Sequence, residues 1–146
     1  MKKLLILLAS AMLLLTSCGD GYGRYEEDIH WDVVPVTIRS DQWEYRDNYL
    51  MVKVRVPELT EYICNEGMFH CYAVFDDGTQ VVLPSTRYCS SDYINEETGE
   101  PYTVFYQRSL DYEFGPGYLY VYYTISDFTY EEDWPNDMTL RIVMQY

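Results

Sequence analysis

Basic side chains are scarce in this chain: ten Lys and Arg stand against 24 Asp and Glu, a formal net charge of −14. Two of the ten, Lys2 and Lys3, sit at the start, so the chain after residue 17 carries −16 (−14 less two positive charges). That excludes a nucleic-acid binder, which needs clustered Lys and Arg to displace the counterions of a phosphate backbone. It equally disfavours adsorption to anionic lipid headgroups, and fits solubility and self-repulsion. Histidine is scarcer still, with only His30 and His70, and no Cys-x-x-Cys pair occurs. A zinc site therefore lacks both its usual ligands and their spacing, and no metal or other cofactor is expected. A second long apolar run is also lacking. Past residue 18 nothing approaches the roughly 20 apolar residues that a spanning helix requires.

The one apolar run present is short and comes first. Met1, Lys2 and Lys3 lead into residues 4–15, of which nearly all are Leu, Ile, Ala or Met. A positive start followed by about a dozen apolar residues is the layout of a secretory signal peptide, expected over residues 1–17. The run closes on Leu15, Thr16, Ser17 and Cys18. This resembles the bacterial lipobox, in which Leu and two small residues precede a cysteine. The resemblance implies a diacylglycerol on the Cys18 thiol, cleavage just before it, and an acyl chain such as palmitate on the new amino terminus. Two or more chains hold a protein stably where one holds it marginally, so the expected partner is a membrane gripped through Cys18.

After removal of residues 1–17, 129 residues remain (146 less 17), the size of one domain. Residues 18–32, with Gly19, Asp20, Gly21 and then Glu26, Glu27 and Asp28, have no apolar period and read as a flexible tether. Residues 33–146 read as a single domain rich in Tyr (17 in the chain), Val, Ile, Thr and Phe, the residues that favour strands. Val34, Val36 and Ile38 alternate with other residues, and Pro35 marks that strand as an edge. Leu50, Val52, Val54 and Val56 alternate with Met51, Lys53 and Arg55. Residues 58–66 break the pattern and suggest a short helical turn capped by Gly67. Residues 68–75, apolar on both faces, read as a central strand, and Asp77-Gly78 as the hairpin turn that returns it at 79–83. Further strands are expected at 102–107, 118–125 and 138–146, with polar loops at 90–101 and 126–137. About seven such strands predict an all-β fold, an antiparallel β-sandwich, Ig-like in general shape but without the Cys…Trp…Cys spacing of antibody domains.

Several features together extend the resemblance. The lipobox, the acidic tether, Trp43 ahead of strand 49–56, the segment Val56-Pro57-Glu58-Leu59-Thr60 before a Gly, and the alternating last strand look like small lipoproteins of Bacteroidetes. That resemblance implies a β-sandwich at the cell envelope, held on the outer membrane by lipid. Surface-displayed members carry acids directly after the cysteine. Here Gly19, Asp20 and Gly21 stand there instead, which leaves the leaflet open.

No constellation for catalysis emerges, and the chain is not expected to be an enzyme. His70 sits mid-strand beside Cys71, where a structural histidine is the ordinary outcome, and His30 falls in the tether. The acid clusters (Asp76-Asp77, Glu96-Glu97 with Glu100, Glu131-Glu132-Asp133) lack the alternating spacing of calcium loops and read as solvated turns. Apart from Cys18, three cysteines remain, an odd number; Cys71–Cys89 and Cys64–Cys71 are both open as disulfides, with one free thiol left over. The aromatic excess points to binding. Tyr118, Tyr120 and Tyr122 should stand in a row on one face of a strand, joined by Tyr102 and Tyr106 if neighbouring strands pair suitably. A ring with a polar tip suits a protein or glycan partner. The alternative is an accessory subunit of an envelope or adhesin assembly, taking a partner strand at an exposed edge, either 33–38 or 138–146.

Overall fold

Alternation of apolar side chains over eight residues or so forces a strand to bury one face, and two such sheets then cover one another. The computed structural model describes residues 29–130 and 133–146. The expected signal peptide, Cys18 and most of the expected tether lie outside the described residues. Nine strands form: β1 (Trp31–Ile38), β2 (Glu44–Arg46), β3 (Tyr49–Arg55), β4 (Met68–Val74), β5 (Gln80–Val82), β6 (Ser85–Ile94), β7 (Pro101–Gly115), β8 (Tyr118–Ile125) and β9 (Met138–Gln145). One sheet has the order β1-β9-β4-β5 and the other β2-β3-β8-β7-β6, every neighbouring pair antiparallel. This is a β-sandwich, Ig-like in general shape, with β2 and β6 added to the seven strands the alternation predicts. Among the described residues no helix is long and apolar enough to cross a membrane.

The two inner faces supply one core. Ile38 from β1, Leu140, Ile142 and Met144 from β9 and Cys71 from β4 meet Leu50 from β3 and Leu119, Val121 and Ile125 from β8, and all of these are sealed from solvent. At one end Phe69 of β4 stacks on Phe114 of β7 at 4.3 Å and tilts against Tyr112 at 5.4 Å, pinning sheet to sheet. Tyr112 and Phe114 stand on alternate residues of a strand, so both rings reach the same neighbour.

The edges follow their sequence signals. β1 is an edge strand, and His30 and Tyr146 exchange backbone hydrogen bonds just beyond it, at 2.8 and 3.1 Å. Those bonds place the even residues of β1 toward β9, so Pro35 sits where an outward N–H would have been left bare. The ladder thus reaches back to His30, inside the segment expected to be tether. β9, by contrast, is central: β1 and β4 occupy both its sides, so the expectation of an open edge at 138–146 is corrected. Its inward Leu, Ile and Met are continuous enough to fill a sheet's middle, and the same pattern would serve an edge.

The helical turn forms as α1 (Glu61–Glu66), with the Thr60 hydroxyl accepting from the Ile63 N–H at 3.2 Å. Gly67 ends it for a reason other than the left-handed turn expected of a capping glycine. Its φ is −86°, ordinary for any residue. A Cβ there would lie 2.8 Å from the Ile63 carbonyl oxygen and 2.9 Å from that of Gln145, so the glycine lets helix and β9 backbones touch. Gly78, with φ +81°, does make the Asp-Gly turn as expected.

Candidate functional site

β7 is the longest strand, and it changes partners midway. Its first ten residues pair with β6 and its last eight with β8, overlapping only at Arg108, Ser109 and Leu110. At this crossover the two sheets part, and a cleft of about 590 Å³ opens. Its walls come from the ends of β1 and β4, the starts of β6 and β9, the crossover of β7 and the segment 133–137. With Tyr123 of β8, six separate stretches of chain therefore meet where none meets in sequence.

Two cations line this cleft in a chain that has few. Arg87 of β6 and Arg108 of β7 are direct cross-strand partners, an arrangement that repels unless something offsets it. Arg108 is offset by protein: its Nε donates to an Asp133 carboxylate oxygen, and its Nη2 donates to the Tyr106 hydroxyl at 3.0 Å. Burial pulls the Arg108 pKa down, but Tyr123 and Asp133 outweigh it and the net shift is upward. Tyr123 donates its hydroxyl to the same Asp133 oxygen at 3.3 Å, and burial followed by the Asp133 charge pushes its own pKa up. Arg87 is offset differently. Its guanidinium lies over the Phe75 ring at 4.7 Å, and among the described residues no carboxylate forms an ion pair with it. Its charge is thus half-satisfied and exposed to whatever enters.

The far wall is held by the polypeptide rather than by chance contact. Trp134 donates its indole N–H to the Ser40 carbonyl at 2.8 Å, and the Asp137 carboxylate accepts from the Ser40 N–H at 2.7 Å. Rings of Phe75, Tyr123 and Trp134 thus surround two guanidinium groups, with Asp76 and Asn136 at the rim. Chemically this arrangement can stack a flat or C–H-rich surface and fork a carboxylate. Compared with family models, curated proteins and solved structures, the chain matches none. The cleft is therefore weighed on its own chemistry.

The tyrosine row lies on the outer face of the five-stranded sheet. Tyr118, Tyr120 and Tyr122 alternate with buried Leu119, Val121 and Tyr123, as the pattern predicts. Their rings are already engaged: Lys53 lies 3.9 Å over Tyr118 and 5.2 Å over Tyr120, and Tyr49 meets Tyr122 edge-on at 5.6 Å. The Tyr122 hydroxyl donates to Glu113 at 2.8 Å, and burial together with that carboxylate pushes its pKa up to about 12. Tyr102 and Tyr106 do not join the row. They occupy even positions of β7, on the opposite side of the sheet, where Tyr106 is buried in the core and Tyr102 stacks on Tyr93 at 5.7 Å.

The remaining candidates separate. Cys64, Cys71 and Cys89 are free thiols, so neither the Cys71–Cys89 nor the Cys64–Cys71 bridge is formed. Cys71 belongs to β4 and lies beside Tyr112, whereas Cys89 of β6, in the other sheet, lies beside Tyr123 and Arg108. Burial pushes the Cys71 thiol up to about 12. His70 points outward on β4 opposite Val143, while Cys71 points into the core, so the two form no thiol–imidazole pair. Asp77 accepts from both the Thr79 N–H and hydroxyl, and Asn95 from the N–H groups of Glu97 and Thr98. The acids at these two turns stand beside such turn-forming bonds. Glu131 and Glu132 lie outside the described residues.

Neither Arg87 nor Arg108 was singled out from sequence. A signal was available: two of only ten basic residues fall within otherwise Tyr- and Ser-rich strand segments.

Proposed function

We propose that this chain is a non-catalytic binding module of the cell envelope, held on a membrane by lipid on Cys18, whose cleft takes a carbohydrate carrying an acid group. The observation that carries the proposal is the cross-strand pair Arg87–Arg108 inside a cleft walled by Phe75, Tyr123 and Trp134. Aromatic rings stack on the C–H faces of sugars, and a guanidinium fork matches a carboxylate in a way an ammonium does not. Asp76 and Asn136 suit hydroxyl groups. The lipobox and its resemblance to Bacteroidetes lipoproteins support the outer membrane as the place, with the leaflet set by signals after Cys18.

Binding of the full chain to uronic-acid and neutral glycans on an array, followed by titration of the best hit, tests this reading. Acidic glycans should bind preferentially. Arg87→Ala should weaken them about 10- to 100-fold, the range expected for a charged hydrogen bond worth about 1.5–3 kcal/mol. Arg87 is exposed, so the variant should fold normally, as far-UV circular dichroism will check. Equal binding of acidic and neutral glycans, or none at all, would sink the proposal.

A second reading, an accessory subunit that accepts a partner strand, is favoured by β6. It is a ten-residue edge without proline, whereas β2 and β5 are three residues each and β1 carries Pro35. Just beyond the β6–β7 ladder Asn95 donates its N–H to the Glu100 carbonyl, so the even residues of β6 direct their backbone groups outward. Stoichiometric co-purification with another envelope protein would favour this reading over the glycan one.

A further inference from the structure

The outward side of the four-stranded sheet bears no acid. Fourteen positions point that way, four each from β1, β9 and β4 and two from β5, and none is Asp or Glu. Its charged or titratable groups are Arg141, whose Nη1 donates to Gln80 at 3.1 Å, His70 and Tyr72. The outward side of the other sheet differs completely, with Glu44, Arg46, Lys53, Arg55, Asp111 and Glu113 upon it. For a chain with 24 acids, a whole sheet face without one is a distinct surface.

That face is also apolar and open. Trp31 is 60% exposed, Val33 51%, Met68 55% and Val82 53%. Trp31 lies opposite Gln145 and Gln145 opposite Met68, so the two largest exposed apolar groups share the row at one end of the sheet. The polypeptide enters at this same row, since Ile29, itself 58% exposed, precedes Trp31 by two residues. Cys18 lies eleven residues before Ile29, and eleven residues reach at most about 40 Å. A lipid on Cys18 would therefore keep this row close to the bilayer at all times.

We propose that the outward face of the four-stranded sheet rests on the bilayer that holds the chain, with Trp31 and Met68 entering the headgroup boundary. This rests on the lipid-anchor reading given above. Trp favours that boundary because its ring is apolar and its N–H polar. Carboxylates are costly there because the low dielectric penalises their charge, and this face has none to desolvate. The net charge makes the surface a neutral one: anionic headgroups would repel the rest of the chain. With the Trp31 and Met68 row at the bilayer, the cleft lies toward the far end of the same strands, at Thr37 and Met138.

The test uses the full-length protein, its Cys18 lipidation read by intact mass, reconstituted in phosphatidylcholine vesicles whose acyl chains are brominated near the headgroup. Bromine should quench part of the tryptophan emission, and Trp31→Phe should abolish that part, leaving Trp43 and Trp134 unquenched. A double variant, Val33→Asp with Met68→Asp, changes only exposed positions and should lift Trp31 out, so quenching is lost although the tryptophan remains. A lipidated protein whose Trp31 is unquenched, or is quenched equally in the double variant, overturns the inference and leaves the anchor standing. Cross-links joining two copies through this face overturn it in favour of a dimer. A mass without lipid on Cys18 overturns the anchor reading itself, and the inference with it.

Discussion

Replacing Tyr130 by Phe removes one oxygen atom from a place where the sheet depends on it. The Tyr130 hydroxyl donates to the Asn48 carbonyl at 2.6 Å and accepts from the Ile125 N–H at 3.2 Å. The β3–β8 register, Leu50 opposite Tyr123, puts residue 48 opposite residue 125 one step further on. The hydroxyl thus stands in the position of the next ladder bond, bridging a donor and an acceptor that have drawn apart. Phe keeps the ring and its edge-on contact with Tyr45 at 5.5 Å, so the change isolates the hydroxyl. Asn48 is exposed and its carbonyl can take water, but Ile125 has no exposed surface. Stranding one buried N–H costs about 2 kcal/mol; with m near 1.5 kcal/mol/M the urea midpoint should fall by about 1.3 M. Urea titration followed by the emission of buried Trp43 measures it. Tyr62→Phe, at a position 61% exposed, is the control and should shift stability by no more than about 0.5 kcal/mol. A Tyr130→Phe midpoint within about 0.3 M of wild type would refute the bridging role.

Two further outcomes follow from the packing and the charges. Gly67→Ala places a Cβ against two backbone oxygens that cannot swing aside, so α1 and β9 must separate, and a loss of about 1–3 kcal/mol is expected in the same titration. Tyr122 has a folded pKa of about 12, raised by burial and by Glu113, so its neutral form is favoured. The stability it contributes is full below the unfolded tyrosine pKa of about 10 and is lost as pH rises through 12. Ultraviolet titration should show several tyrosinates missing near pH 10, Tyr122 among them with Tyr112, Tyr123, Tyr130 and Tyr146, and Glu113→Gln should move one of them to lower pH; an unchanged curve in that variant would remove Glu113 from the account.

Strands whose inward residues are all apolar were legible from sequence: Leu140, Ile142 and Met144, or Leu119, Val121 and Ile125, admit one register. β6 was not, because its pattern is inverted. Its inward side carries Ser85, Cys89, Ser91 and Tyr93, while Tyr88, 83% exposed, and Ile94, 70% exposed, face out. Hydrophobic alternation reports burial, and a strand with little of its surface buried gives little alternation. β7 was legible only in its first half, since Arg108, Asp111 and Glu113 interrupt the apolar run just where the strand changes partners. That Tyr118, Tyr120 and Tyr122 share one side follows from alternation along β8 alone. The cleft depends on long-range meetings, such as Arg87 with Arg108 and Ser40 with Asp137, which no local pattern encodes.

The pairing of β1 with β9 has a mechanical consequence. The row of Trp31 and Gln145 lies at the end where the chain comes in, and the row of Ile38 and Met138 at the end where the cleft opens. A pull between a membrane attachment and an occupied cleft would run lengthwise along β1. Inter-strand hydrogen bonds lie across that direction, so all eight residue pairs would bear the load together in shear. The same ladder pulled sideways would open one pair at a time. A domain tugged by its ligand would in this way resist with its whole first strand.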